Sequence, residues 1–236
     1  VTTAVAFDGL RADGLALSRG DRRLFSGLSF ELAARELLLL HGPNGSGKSS
    51  LLRALLGLAP LSAGTLSSGL GPLRPRLLCG AALHQGHASG AKGELTAAEN
   101  LALSAALDGT LAEDGAQADA ALREALAQVG LARQRDVETR RLSQGQRQRL
   151  SLARFALALH APVRPLWLMD EPSAALDRDG GALLAGMLDA HLARGGAAIV
   201  ATHLPVVPES GRVRVLELGA FAPKRAAVPI AAEASP

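Results

Sequence analysis

The stretch Gly42-Pro43-Asn44-Gly45-Ser46-Gly47-Lys48-Ser49-Ser50 combines residue types and a spacing that could do chemistry. Its Gly-x-x-x-x-Gly-Lys-Ser pattern fits a phosphate-binding loop. Glycines let the backbone curl until successive N–H groups converge on phosphate oxygens, and a following helix adds its positive N-terminal end. Lys48 can then reach β- and γ-phosphates, and the Ser49 hydroxyl can ligate Mg2+. The chemistry implied is binding of a nucleoside triphosphate. Farther along, Asp170 and Glu171 close the apolar run Leu166-Trp167-Leu168-Met169. Asp170 is suited to hold Mg2+ through its water shell, and Glu171 to polarise a water for in-line attack on a γ-phosphate. His203 follows another apolar run, Ala197 to Ala201, where an imidazole can touch that phosphate or the attacking water.

A second anion site is suggested by Leu142-Ser143-Gln144-Gly145-Gln146. Ser143 and Gln146 have the spacing of a capping box, so this segment opens a helix. Gly145 is a poor helix former in the first turn, and its value would be to let a phosphate approach exposed N–H groups. Two anion sites in one chain suggest that two copies sandwich nucleotide between them.

These residues need elements to hold them. Glu36 to His41 reads as a strand buried on both faces, running into the glycine loop; Leu51, Leu52, Leu55, Leu56 and Leu58 then recur at helical spacing. Leu15-Ala16-Leu17 and Leu28 to Leu32 alternate as strands around a turn at Arg19 to Asp21, and residues 61–90, broken by glycine and proline, read as short strands and loops. From about residue 95 the character turns helical. Thr96 and Glu99 form a capping box for a helix through Leu107; Leu122, Leu126 and Val129 mark a second helix stopped by Gly130; a third runs from Ser143 to about His160. The α/β rhythm then returns, with strands at Leu166–Met169, Ala197–Ala201 and Val213–Leu218 and a helix over about Gly180–Ala193. In an open α/β sheet the carboxyl ends of the strands face the ligand crevice, which is where the loop, the acid pair and His203 all fall.

The 236 residues, 48% hydrophobic and 20% charged, exclude an intrinsically disordered chain. The lone Cys79 excludes a disulfide framework and points to a reducing compartment. No apolar run approaches the roughly 20 residues of a membrane span, and Val1 to Asp8 lacks the pattern of a secretory leader. A net charge of +3 with 3% aromatic residues argues against a nucleic-acid binder, and the arginine cluster at 133, 135, 140, 141, 147 and 149 reads as a solvated face, or as a subunit or phosphate contact.

The motifs together resemble those of the ABC ATPases. Leu142 to Gln146 looks like the LSGGQ signature, followed by an Arg-rich run to Arg154; Leu168-Met169-Asp170-Glu171-Pro172-Ser173 looks like the Walker B segment, Ala175-Leu176-Asp177 like the D-loop, and His203 like the switch histidine. Order and spacing agree from about residue 14 to 218. The resemblance implies an α/β P-loop NTPase core with a mostly parallel sheet, an N-terminal antiparallel β subdomain and an inserted α-helical subdomain. It implies one ATP-binding domain over residues 1–219, with the helical part at about 95–160 and a loose tail over 220–236. It also implies ATP and Mg2+ as ligands and a head-to-tail pair of copies, with Ser143, Gly145 and Gln146 of one copy meeting the nucleotide on the other.

Within that family, Arg23 to Phe30, Gly86-His87, Gly90-Ala91-Lys92 and Leu95 to Leu101 resemble the ATPases of cytochrome c maturation, or haem export, systems. That implies a peripheral protein on the cytoplasmic face of the bacterial inner membrane. It would dock on the membrane subunit CcmB, with CcmC and CcmD, and its ATP hydrolysis would release a haem-loaded chaperone. The alternatives are a soluble ABC ATPase of an iron–sulfur assembly complex, an ABC subunit of another transporter, and a small-molecule P-loop kinase, which would need neither the signature nor His203. The sequence departs from the family at two places. Arg19 stands where many members stack an aromatic on adenine, and an arginine can lie over that π face instead. Ala88 stands where the Q-loop glutamine, a Mg2+ contact, is expected; either Gln85 takes that place or the contact is missing.

Overall fold

Complete burial of Leu37–Leu40, Leu166–Met169 and Ala197–Ala201 is what continuous apolar runs achieve when helices or a second sheet cover both faces of a parallel sheet. The computed structural model describes residues 9–68, 71–72, 78, 80–87, 90–111, 114–159, 165–203, 208 and 211–223. Along these come strands β1 (Leu10–Arg19), β2 (Arg22–Leu32) and β3 (Glu36–His41), then helix α1 (Lys48–Leu55), β4 (Ala63–Ser68), β5 (Gly71–Pro72) and β6 (Ala82–Gln85). Helices α2 (Ala97–Asp108), α3 (Gly115–Gln128) and α4 (Gln144–Ala158) follow. Then come β7 (Leu166–Asp170), α5 (Arg178–Ala193), β8 (Ala197–Ala201) and β9 (Arg212–Glu217).

Five parallel strands make one sheet in the order β6-β7-β8-β3-β9, and four antiparallel strands make another in the order β2-β1-β4-β5. Alternation along β3 divides the core. Leu38 and Leu40 pack with Leu51, Leu52 and Leu55 of α1 and with the antiparallel sheet; Leu37 and Leu39 pack in a second cluster with side chains of α2 to α5. Each such leucine is worth roughly 1.5–3 kcal/mol of burial. Arg154 of α4 grips Asp108 of α2 through two guanidinium nitrogens at 2.8–3.0 Å and reaches the His84 carbonyl of β6 at 3.5 Å, tying the helices to the sheet edge.

Thr96 and Ser143 both cap their helices as their spacing predicts, each with its reciprocal Glu99 or Gln146 bond. Other boundaries differ. Helix α1 ends at Leu55 rather than continuing to Leu58, because the chain turns at Gly57 with φ +72° and leaves Leu58 65% exposed. The two short strands expected near Leu15 and Leu28 are stretches of long strands whose register shifts interrupt the alternation. Cys79 and Ala88 lie outside the described residues, as does the expected tail from residue 224 onward; Leu218–Phe221 forms a short 3-10 turn.

Trp167, wholly buried in β7, meets the edge of Phe155 at 4.9 Å and stacks on the His191 ring at 3.9 Å. Burial pushes His191 down to about 4, against the opposing hydrogen bonds to Ala197 and Pro165. Gly196 is required beside it, since a Cβ there would stand 2.2 Å from the imidazole. The unfolded chain therefore takes this proton first as pH falls. The His191 contribution is complete above the ordinary histidine value and is lost as pH drops toward about 4. Urea unfolding is expected to show a loss on the order of 2 kcal/mol from this group between about pH 7.5 and about pH 5. His191→Phe should flatten that part of the pH dependence, and an unchanged slope would refute the assignment.

Candidate nucleotide site

Strand β8 lies between β7 and β3, so the carboxyl ends of three neighbouring strands open side by side. Past β3 the chain forms the glycine loop. Gly47 supplies the N-cap of α1 at φ +105°, and a Cβ there would stand 3.1 Å from the Phe25 ring, so only glycine fits both the backbone and the space. The Lys48 side chain, on a residue 7% exposed, folds back over the loop and donates to the Gly42 carbonyl at 2.7 Å and the Pro43 carbonyl at 3.5 Å.

Past β8, His203 sits between the other two strand ends. Its Nε2 is 3.1 Å from Lys48 Nζ, 3.0 Å from Asn44 Oδ1 and 3.4 Å from Glu171 Oε1. Asp170, the last residue of β7, is 4% exposed, while Glu171 just past it takes a left-handed backbone, φ +52°, and accepts weakly from the His203 N–H through Oε2. The Glu171 N–H donates to the Ala201 carbonyl at 2.8 Å, locking the loop to the end of β8. A non-glycine residue in that conformation costs on the order of 1–3 kcal/mol and persists only where its surroundings hold it.

These groups line a cavity of about 490 Å³. Asn44, Gly45, Ser46, Gly47, Lys48, Ser49, Ser50, Asp170, Glu171, His203 and Arg19 all face it; Gly42 and Pro43 contribute through the carbonyls that Lys48 engages. Gln85 does not: it is buried in β6, and its Oε1 has no hydrogen-bond partner among the described residues. Ser143, Gly145 and Gln146 are not brought there either. They form the tip of α4, where Ser143 is exposed and exchanges both capping bonds with Gln146. Asp177 caps α5, and its bond from the Gly180 N–H, helped by Arg149, holds its carboxyl below the usual carboxylate range.

Arg22, Arg53, Leu24 and His87 also line the cavity and were not identified as site residues from sequence; the approach of Arg22, Leu24 and His87 depends on how β2 and the loop after β6 pack. Arg53 alone had a signal, standing one helical turn after Ser49. No Phe, Tyr or Trp is among the described lining residues, and the cations Arg19, Arg22, Arg53 and Lys48 outnumber the carboxylates Asp170 and Glu171. Such a cavity suits a polyanion. The Ser46 hydroxyl, buried and without a hydrogen-bond partner among the described residues, is a polar atom suited to a phosphate oxygen.

The ABC transporter family model matches residues 25–174. The chain is 45% identical over 217 residues to the cytochrome c biogenesis ATP-binding export protein CcmA of Dechloromonas aromatica, covering 89% of this chain and all of that one. It belongs to the CcmA family of ABC ATP-binding proteins. CcmA of Pseudomonas putida is 43% identical over 90% of this chain and 98% of its own, and that of Paracoccus denitrificans 44% over 88% and 87%. Solved structures share the fold: an ATP-binding cassette captured as a dimer after hydrolysis with ADP and Pi bound, at TM-score 0.74 and 24% identity over 89% of this chain and 95% of that one, and an ABC transporter ATP-binding protein from Pyrococcus furiosus, at 0.73 and 18% over 91% and 100%. The fold expected from the motifs is the one observed. As an ABC ATPase of the CcmA family, the chain binds and hydrolyses ATP.

Removing the Lys48 amine is expected to abolish nucleotide-induced stabilisation. For the unsubstituted chain, ATP at about 100 times its Kd should add about 2.7 kcal/mol to unfolding. In a Lys48→Met variant, thermal scans with and without ATP should coincide. An undiminished shift would move the triphosphate elsewhere.

Proposed function

We propose that this chain is the ATP-hydrolysing subunit of a complex that serves cytochrome c biogenesis. The support is a match to CcmA proteins over nearly the full length of both chains. In this reading it works as a pair of copies on the cytoplasmic face of the inner membrane, against the membrane subunit CcmB, with CcmC and CcmD. No helix among the described residues is long and apolar enough to cross a membrane.

One observation carries the catalytic part: Lys48, Asn44 and Glu171 converge on a single ring nitrogen of His203. A triphosphate entering the loop draws the Lys48 amine from its carbonyls to the β- and γ-phosphates, and loop N–H groups and the Ser46 hydroxyl meet the remaining oxygens. His203 then stands beside the γ-phosphate. Glu171 takes a proton from a water whose oxygen bonds to the γ-phosphorus, while the bond to the bridging β–γ oxygen breaks and ADP departs. The Ser49 hydroxyl and the Asp170 carboxylate, both oxygen donors facing the cavity, fit Mg2+. When bound, that ion neutralises charge developing on the phosphate oxygens. Arg19 lies at the rim suited to cover the base.

The Ser143–Gln146 tip, exposed at Ser143 and Gln144, would meet the nucleotide held by the second copy, with Asp177 at the seam. Glu171→Gln is expected to lower kcat by about 100-fold or more while ATP binding persists, and gel filtration with ATP should show a dimer. Undiminished turnover would remove Glu171 from the reaction.

A further inference from the structure

Helix α4 grips the loop that carries Glu171. One turn in from its tip, the Gln148 amide donates through Nε2 to the Pro172 carbonyl at 2.7 Å and, more weakly, to the Glu171 carbonyl at 3.4 Å. Both neighbours are acceptors, so the amide must present its nitrogen. Arg149 pairs with Asp177 at 2.6 Å, and that carboxylate caps α5. Gly145 lies so close that a Cβ would stand 3.0 Å from the Ala175 carbonyl, which gives this glycine a purpose within its own chain beside the one its sequence position suggests. Residues 145, 148 and 149 share one face of the helix. The segment they hold contains two non-glycine residues with left-handed backbone, Glu171 at φ +52° and Ala175 at φ +60°. Such a loop keeps its shape only while its neighbours enforce it.

We propose that Gln148 is a positioning residue for hydrolysis: it fixes the Glu171 peptide so that the carboxylate stays beside His203, and it relays nucleotide occupancy from the partner copy. The relay follows from geometry. The Ser143–Gln146 tip and the Gln148 amide belong to the same rigid helix, so a phosphate meeting the tip shifts the donor that holds this chain's own Glu171. That half rests on the paired arrangement proposed above. Holding the loop costs nothing in nucleotide affinity, because Gln148 does not line the cavity.

Steady-state ATPase assays on Gln148→Ala, Gln148→Glu and Gln148→Lys test this. The Ala and Glu variants lack the donor, and kcat should fall by about 10-fold or more with the thermal midpoint and ATP Kd nearly unchanged. Gln148→Lys, which keeps a donor, should recover most of the rate. The Hill coefficient for ATP should drop from about 2 toward 1 in the Ala variant. Unchanged kcat, or a loss that tracks ATP affinity and thermal midpoint, would overturn the positioning role. Gel filtration of Glu171→Gln with ATP separates the two layers. A monomer there would sink the pairing and the relay together, whereas a dimer with an unchanged Hill coefficient in Gln148→Ala would sink the relay alone.

Discussion

A lysine amine solvated by the carbonyls of its own loop is the interaction on which the rest of this structure depends. Lys48 is sunk to 7% exposure with backbone oxygens of Gly42 and Pro43 as its acceptors, and no carboxylate among the described residues is bonded to it. An ammonium held by neutral carbonyls in a largely buried loop attracts an anion strongly. Everything beneath keeps it there: the fully buried β3, the Gly47 cap pressed against Phe25, and the leucines by which α1 seals onto the sheet. The strand order adds the remainder. With adjacent strands spaced about 4.8 Å apart, the middle strand end delivers His203 between the lysine on one side and the glutamate on the other.

Much of this was legible in the sequence, for local reasons. The glycine loop shows because its backbone needs glycine at fixed intervals, and the central strands show because both their faces are covered. The caps at Thr96 and Ser143 show because capping bonds span only three residues. Features that depend on chain segments meeting in space did not show. Arg22 and His87 reach the cavity only through packing, and the stacking of His191 on Trp167 joins residues 24 positions apart. The grip of Gln148 on the loop after β7 spans a similar distance along the chain. The bulged pairing of β1 with β2 hid the length of both strands.

Two departures from the family pattern shape the cavity. Where the family pattern has an aromatic stands Arg19, with Arg22 nearby, so the cavity offers cations and an aliphatic Leu24 there. Gln85, one of the residues available for the Q-loop role, turns into the protein interior instead. His87, two residues on, faces the cavity in its stead. In the function proposed above, the phosphates meet the glycine loop and the base would rely on guanidinium groups.

The loop from Glu171 to Asp177 joins the site to the rest of the molecule. It is pinned by Ala201, by the amide of Gln148 and by Arg149 on Asp177, and the helix that pins it ends in the exposed Ser143 tip. The most direct measurement is a crystal structure with Mg2+ and an imido analogue of ATP. Expected is a γ-phosphate bound by Lys48 and His203 of one copy and by Ser143 and Gly145 of the other, with Glu171 aimed at the in-line water. A fully occupied analogue held by one copy alone, away from Lys48, would contradict the account.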